Sequence, residues 1–415
     1  MRGIIEGFYG RPWTWEERRH VGGVLAAAGM DTYVYAPKDD PLHRERWREP
    51  YPDAELRAFE ELAGAGALRV GFGISPGLSI DPDSDADRRR LLDKVGQLTG
   101  VGVSLVGLLL DDLDPAPGLG RAHGALTAWL REQLDPEVEL FMVPLHYTGT
   151  GPAPYLDELC AEVPPEVPIG WTGRYVVNRT ITAADALARR EATGGRAPLL
   201  WDNTPVNDAL MADRLFTGPL RGRDPELSDH LSGYLANPMV QAHASLPALR
   251  SAAAWLRGED PEAEWERAAG DERVLLEGCD GAVPAALADA GLAGDRAALE
   301  ELAEWMRAAA ACEPGALGEA VRPWVDQLRA EAAVCDVALQ VLLAPDGEAH
   351  RLSPLLLLTW PPLRRAEAQV LGGRGAALPA LGQDEQSRWV ASTECVVPPA
   401  SVTDRLVAAA FARLA

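Results

Sequence analysis

Asp111 and Asp112 stand side by side where an apolar run ends, in V-G-L-L-L-D-D-L-D from Val106 to Asp114. Neighbouring carboxylates repel, so one tends to ionise while the other holds its proton towards neutrality; that divides them into an electrostatic partner and a general acid. Together with Asp114 they could also ligate a hard cation such as Mg²⁺, but no histidine lies close enough in sequence to complete a transition-metal set. The expectation is therefore acid/base chemistry with no metal and no cofactor. Taken alone, the pair reads more readily as a solvated turn or a helix cap. The elements that carry it, and the groups that accompany it, must decide.

Leu108, Leu109 and Leu110 form an uninterrupted aliphatic run, the pattern of a strand buried on both faces. The acids then sit at its carboxyl end, where ligands meet the chain in open α/β sheets and in barrels. Around it the pattern alternates strand and helix. Gly3 to Glu6, Thr32 to Tyr35, Arg69 to Gly73, the run ending at Asp111, Glu139 to Val143, Ile169 to Trp171, Pro198 to Trp201 and Gly233 to Ala236 read as strands. Amphipathic stretches separate them, the first opened by Thr14 and Glu17 as a capping box. Eight strands in about 255 residues give an α/β fold, a (β/α)8 TIM barrel over residues 1–258. A doubly wound sheet would call for a glycine-rich phosphate loop after the first strand. E-G-F-Y-G-R-P-W is not one, and G-G-R-G-A at Gly372 follows no convincing strand. From residue 259 to 415 the texture turns to Ala, Leu, Glu and Arg with helical spacing, predicting an all-α C-terminal domain. Its stripes (Leu299, Leu302, Trp305, Met306; Trp324, Leu328, Ala332, Val334) read as core or as a homodimer face, not as a cofactor pocket.

Other strands deliver polar groups to the same rim. Lys38 follows the second strand, Tyr147 the fifth, Asn203 and Asp208 the seventh, and Asn237 the eighth. Each has a bland reading of its own: Lys38 as a surface ion pair, Asn237 before Pro238 as a turn, Trp201 as core. Their agreement on one rim argues against all being bland at once, because loops after barrel strands converge on one mouth. A lysine, amides, a further acid and aromatic rings around an acid pair are what a sugar needs: donors and acceptors for hydroxyls, and a flat surface for the ring face. Adjacent acids on one strand end are poorly placed to flank a glycosidic carbon from opposite faces, as two-carboxylate glycosidases do. They could act from one side if the substrate brings its own nucleophile. A 2-acetamido group does so, its carbonyl oxygen attacking the anomeric carbon while a carboxylate orients its N–H.

The formal charge of −23 and a pI near 4.7 argue against nucleic acid or an anionic membrane surface as partner. Five cysteines, Cys160, Cys279, Cys312, Cys335 and Cys395, are odd in number and widely spaced, as befits free thiols in a reducing compartment. No signal peptide and no long apolar window is read, so the cytoplasm is the expected location.

The segments G-I-I-E-G-F-Y-G-R-P-W (Gly3 to Trp13), Y-A-P-K-D-D (Tyr35 to Asp40), I-S-P-G-L (Ile74 to Leu78), L-D-D-L-D (Leu110 to Asp114), W-T-G (Trp171 to Gly173), W-D-N-x-x-x-N-D (Trp201 to Asp208) and A-N-P (Ala236 to Pro238) closely resemble the catalytic domain of glycoside hydrolase family 84. That family comprises O-GlcNAcases and related β-N-acetylglucosaminidases. The resemblance implies that Asp111 polarises and orients the acetamido group while Asp112 serves as general acid and then base. It implies that Gly7, Lys38, Asn203, Asp208 and Asn237 bind the sugar, that Tyr147 contacts the oxazoline oxygen, and that Trp201 lines the acetamido pocket. The substrate would be a GlcNAc-containing glycoside or glycoprotein, cleaved with retention through an oxazoline. The competing expectation is a non-catalytic GlcNAc-binding or scaffolding protein. L-H-Y-T-G-T (Leu145 to Thr150) and W-T-G-R-Y-V-V-N (Trp171 to Asn178) depart from the family pattern at the rim, which bears on leaving-group preference more than on chemistry. Asp114 is expected to accept backbone N–H groups in its loop.

Overall fold

A computed structural model describes residues 1–345, 348–349, 354–363, 365, 367–372, 378–397 and 400–414. Strands β1 (Arg2–Glu6), β2 (Thr32–Tyr35), β3 (Arg69–Ile74), β4 (Leu105–Leu109), β5 (Glu139–Val143), β6 (Gly170–Trp171), β7 (Leu199–Asp202) and β8 (Gly233–Ala236) form one sheet. Every pairing is parallel, in the order β5-β4-β3-β2-β1-β8-β7-β6. A parallel bridge from Met142 to Ile169 joins its two outer strands and closes the barrel. Helices α1 (Trp15–Ala27), α2 (Asp53–Gly64), α3 (Asp85–Thr99), α4 (Leu119–Gln133), α5 (Pro154–Glu162), α6 (Ala183–Ala192) and α7 (Ala242–Leu256) surround it.

Two apolar layers explain why the strands read as hydrophobic on both faces. Ile5, Val34, Leu105, Leu109, Phe141, Leu199 and Leu235 meet inside the barrel. Ile4, Tyr33, Phe72, Leu108, Leu140 and Leu200 face the helices. Successive strand side chains alternate between these layers. The helix boundaries follow their local chemistry. The Thr14 hydroxyl accepts from the Glu17 N–H at 3.1 Å and the Glu17 carboxylate accepts from the Thr14 N–H at 2.6 Å, fixing the start of α1. One expected helix is missing: the β7-to-β8 crossover holds only the 3-10 turns Ala209–Met211 and Leu227–His230. Its residues go instead into walling the barrel mouth.

Beyond the barrel follow α8 (Pro261–Ala269), α9 (Arg273–Asp280), α10 (Ala282–Leu292), α11 (Arg296–Ala311), α12 (Ala316–Ala320), α13 (Arg322–Leu343), α14 (Trp360–Leu363) and α15 (Val402–Leu414). The stripes of α11 and α13 bury in this region's own core, which also takes in Leu215, Met239 and Ala244 from the barrel segment. Those residues are therefore core. Between α14 and α15 lies an element that helical spacing does not foretell: an antiparallel ribbon of β9 (Leu378–Gln383) and β10 (Trp389–Val397). Most of the G-G-R-G-A run, and the side chain of Cys395, lie outside the described residues. No helix among the described residues is long and apolar enough to cross a membrane.

Candidate active site

A cavity of about 290 Å³ opens at the carboxyl ends of the strands. Gly7, Lys38, Asp111, Asp112, Tyr147, Trp201, Asn203, Asp208 and Asn237 all line it, together with Tyr9, Val143, Thr172 and Ala209. Six strands and the loops after them thus bring all nine sequence-selected residues to one place. The reason is strand parity. On β1, Ile5 points inward and Gly7 is the next inward position; on β2 the series is Val34, Ala36, Lys38. On β4 it is Leu105, Gly107, Leu109, Asp111, on β7 Leu199, Trp201, Asn203, and on β8 Leu235, Asn237. On these five strands the inward row continues into the loop, and Gly7, Lys38, Asp111, Asn203 and Asn237 on it face the cavity.

Asp112 breaks the rule, since an alternating chain would turn it away from Asp111. Its backbone adopts φ 57, the left-handed region that non-glycine residues avoid. That turn lets consecutive acids address one cavity. Ala209, beside Asp208 in the wall, has φ 48 for a similar local reversal.

The acids have different surroundings. Asp111 is buried, and its Oδ2 accepts from Lys38 Nζ at 2.5 Å. Its Oδ1 is buried too, without a hydrogen-bond partner among the described residues. Asp112 is more open: Oδ1 accepts from the Tyr147 hydroxyl at 3.0 Å and Oδ2 from the Tyr9 hydroxyl at 3.2 Å. Lys38 and Arg44 each stand 3.7 Å from Asp112 Oδ2. Burial opposes the Lys38 charge, but the facing carboxylates outweigh it, holding its pKa above the ordinary lysine value. Burial, and then the Asp112 charge, push the Tyr147 hydroxyl far above the usual tyrosine range, so it remains a donor. Burial also raises Asp208, against the lowering effect of the Tyr9 N–H that its Oδ2 accepts at 2.8 Å.

The floor is a hydrogen-bonded chain. The Asn203 amide oxygen accepts from Trp201 Nε1 at 3.0 Å and from Asn237 Nδ2 at 2.9 Å, while Asn237 Oδ1 accepts from the Gly7 N–H at 3.2 Å. Gly7 is required by close approach: a Cβ there would lie 2.3 Å from Trp201 Cζ2. The indole is thereby pinned edge and face. Tyr9 and Arg44 were not singled out by sequence reasoning. Tyr9 sits inside F-Y-G directly after β1, a usable signal, whereas nothing in P-L-H-R-E-R distinguishes Arg44 from other arginines.

Asp114 is exposed, and among the described residues it accepts no hydrogen bond from the following loop, so the expected structural acceptor role is not what the loop uses it for. Nor do the described residues include a group of three or more His, Cys, Asp or Glu side chains set to hold a metal ion.

A cavity at a barrel mouth, lined by an acid pair, is the architecture of a glycoside hydrolase. A beta-N-acetylglucosaminidase family model matches residues 2–275, and the chain belongs to that family, glycoside hydrolase family 84. The Protein O-GlcNAcase of Rattus norvegicus is 33% identical over 274 residues, which cover 61% of this chain and 30% of that protein. The Mus musculus protein of the same name gives the same figures. The chain thus spans about 30% of the length of these curated relatives. A solved mutant of the Thermobaculum terrenum O-GlcNAc hydrolase superposes with a TM-score of 0.77 at 26% identity, covering 87% of this chain and 88% of that one.

Proposed function

We propose that this chain is a retaining exo-β-N-acetylglucosaminidase of O-GlcNAcase type, in which the substrate's own acetamido group is the nucleophile. The observation that carries the reading is the Asp111 carboxylate. A buried carboxylate oxygen normally has its donors, since leaving it without them costs on the order of 1–3 kcal/mol. Here Lys38 serves Oδ2, and Oδ1 is left for a donor that arrives with the substrate. An acetamido N–H is such a donor. With its N–H held there, the carbonyl oxygen attacks the anomeric carbon, and the negative charge of Asp111 stabilises the developing oxazolinium.

Asp112 does the proton work. It gives a proton to the glycosidic oxygen as that bond breaks, then takes one from the water that opens the oxazoline, so the anomeric configuration is retained. Its greater exposure and its Tyr147 and Tyr9 hydroxyl partners suit a group that must reach the leaving oxygen. Gly7, Lys38, Asn203, Asp208 and Asn237 hold the sugar, Tyr147 reaches the oxazoline oxygen, and Trp201 walls the acetamido side. A cavity of about 290 Å³ is at the small end for ligand sites, fitting one terminal sugar. The substrate is a GlcNAc-bearing glycoside or glycoprotein. Among the described residues, Cys160, Cys279, Cys312 and Cys335 are free thiols, which supports a reducing cytoplasmic setting.

The test replaces the acetamide of an aryl β-GlcNAc with mono-, di- and trifluoroacetamides. Each fluorine weakens the carbonyl oxygen as a nucleophile, so neighbouring-group attack predicts a steep, progressive fall in kcat. A flat series would remove the substrate from the nucleophile's role.

A further inference from the structure

The ribbon β9–β10 comes from the far end of the sequence and docks on the barrel mouth at the loops after β5 and β6. Its anchors are specific. The Val176 N–H donates to the Leu381 carbonyl at 2.8 Å. Gln383 spans the Tyr147 loop: its Nε2 donates to the Leu145 carbonyl at 3.0 Å, and its Oε1 accepts from the Thr148 N–H at 3.3 Å and the Thr148 hydroxyl at 3.1 Å. Ser387 Oγ, buried at the ribbon's tip, shares a 2.8 Å hydrogen bond with His146 Nδ1. The Ser392 hydroxyl donates to the Tyr175 hydroxyl at 3.1 Å.

The tip is braced within itself. Asp384 accepts from the Arg388 N–H at 3.0 Å and from its guanidinium at 2.7 Å and 2.9 Å, and the Ser387 N–H donates to the Asp384 carbonyl at 2.8 Å. The residue directly after this turn is Trp389. Its ring lies 5.8 Å from that of Tyr147, at 65° between planes, yet 48% of the residue stays exposed. A half-exposed indole held against a ring that lines the cavity keeps a face free for a ligand group beside that cavity.

We propose that Trp389 is the leaving-group platform, stacking an aglycone with a flat apolar face, either a second pyranose or an aryl ring. The inference rests on the proposed function above, and position selects the occupant. Tyr147 lines the cavity and donates to Asp112, the proton donor to the glycosidic oxygen, so the group beyond that oxygen passes the Tyr147 side of the mouth. Trp389 is not among the residues that line the cavity, but its ring contacts that of Tyr147, which is. An indole face is a good surface for the C–H face of a sugar or for another ring.

The experiment compares wild type, Trp389→Ala and Trp389→Phe on three substrates: nitrophenyl β-GlcNAc, a β-linked GlcNAc disaccharide and methyl β-GlcNAc. In Trp389→Ala, kcat/KM for either ring-bearing substrate relative to the methyl glycoside falls roughly tenfold, mainly through KM, and Trp389→Phe restores most of it. A loss on the aryl substrate alone would assign the platform to aryl groups, and a loss on the disaccharide alone to sugars; either supports the platform. An unchanged ratio, or one that Trp389→Phe fails to raise, overturns it, even if a GlcNAc-peptide responds to the substitution. Because the measure is a ratio within one variant, partial unfolding cancels. Failure of wild type to hydrolyse any of the three defeats the underlying reading instead, and the platform with it.

Discussion

Buried acids occur on both sides of the barrel's strand ends, and the two sides treat them differently. Facing the helices, Glu6 accepts from Arg18 Nε and Nη2 at 2.9 Å each and from the Trp13 N–H at 2.9 Å, and also from the Tyr33 hydroxyl. Asp202 accepts from Arg223 Nε at 2.9 Å and Nη2 at 2.7 Å and from the Tyr234 hydroxyl at 3.0 Å. Both oxygens of each carboxylate are served. Facing the cavity, Asp111 has one oxygen served and one left over. Glu6 and Asp202, with their bonds complete, hold structure, whereas Asp111 keeps an acceptor for a ligand. Among these three buried strand-end acids, completeness of hydrogen bonding separates the two that hold the wall from Asp111.

The strongest way to break that distinction is to unpair an outward acid. Arg18→Met leaves Glu6 charged and uncompensated in the wall, and removes a guanidinium that also lies over the rings of Trp15 and Tyr35. Denaturant unfolding is expected to show a loss of about 3–5 kcal/mol. The kcat per folded molecule on an aryl β-GlcNAc should change little, because no cavity residue loses a partner. A large drop in kcat with intact stability would mean that the outward acids belong to the site.

A smaller effect is expected on the cavity side from Tyr147→Phe, which takes one donor from Asp112 and leaves the ring against Trp389. A hydrogen bond to a charged group is worth about 1.5–3 kcal/mol, so kcat/KM should fall roughly tenfold to a hundredfold. The pH profile sharpens this. Burial and the Asp112 charge hold the Tyr147 hydroxyl far above its usual range, so it stays protonated across neutral and mildly alkaline pH. The alkaline limb of the rate profile therefore persists in Tyr147→Phe; its disappearance would show that Tyr147 ionisation sets that limb.

Much of this was legible in the sequence, and for one reason: strands keep period two. Once a buried strand is located, its inward row runs on into the loop, and Lys38, Asp111, Asn203 and Asn237 fall on that row. Asp112 does not, and nothing in D-D-L-D announces a left-handed backbone at an aspartate. Its convergence on the cavity came from the same-side chemistry and the family resemblance. The ribbon was hidden differently. Trp389–Val397 has the aromatic and β-branched content of a strand, and D-E-Q-S-R is a polar turn, but its partner L-P-A-L-G-Q contains Pro and Gly and sits among helical Ala-rich segments. Its contacts with the Tyr147 loop lie more than two hundred residues away in sequence and leave no local pattern.

The central claim is that two adjacent carboxylates hold different jobs. It is tested most directly by azide rescue of Asp111→Ala and Asp112→Ala on dinitrophenyl β-GlcNAc, whose leaving group needs no proton. Asp112→Ala should still form the oxazoline quickly, accelerate with azide and release the β-glycosyl azide. Asp111→Ala should stay slow whatever the leaving group and gain nothing from azide. Rescue of Asp111→Ala instead, or an α-glycosyl azide from either variant, would contradict the division of labour.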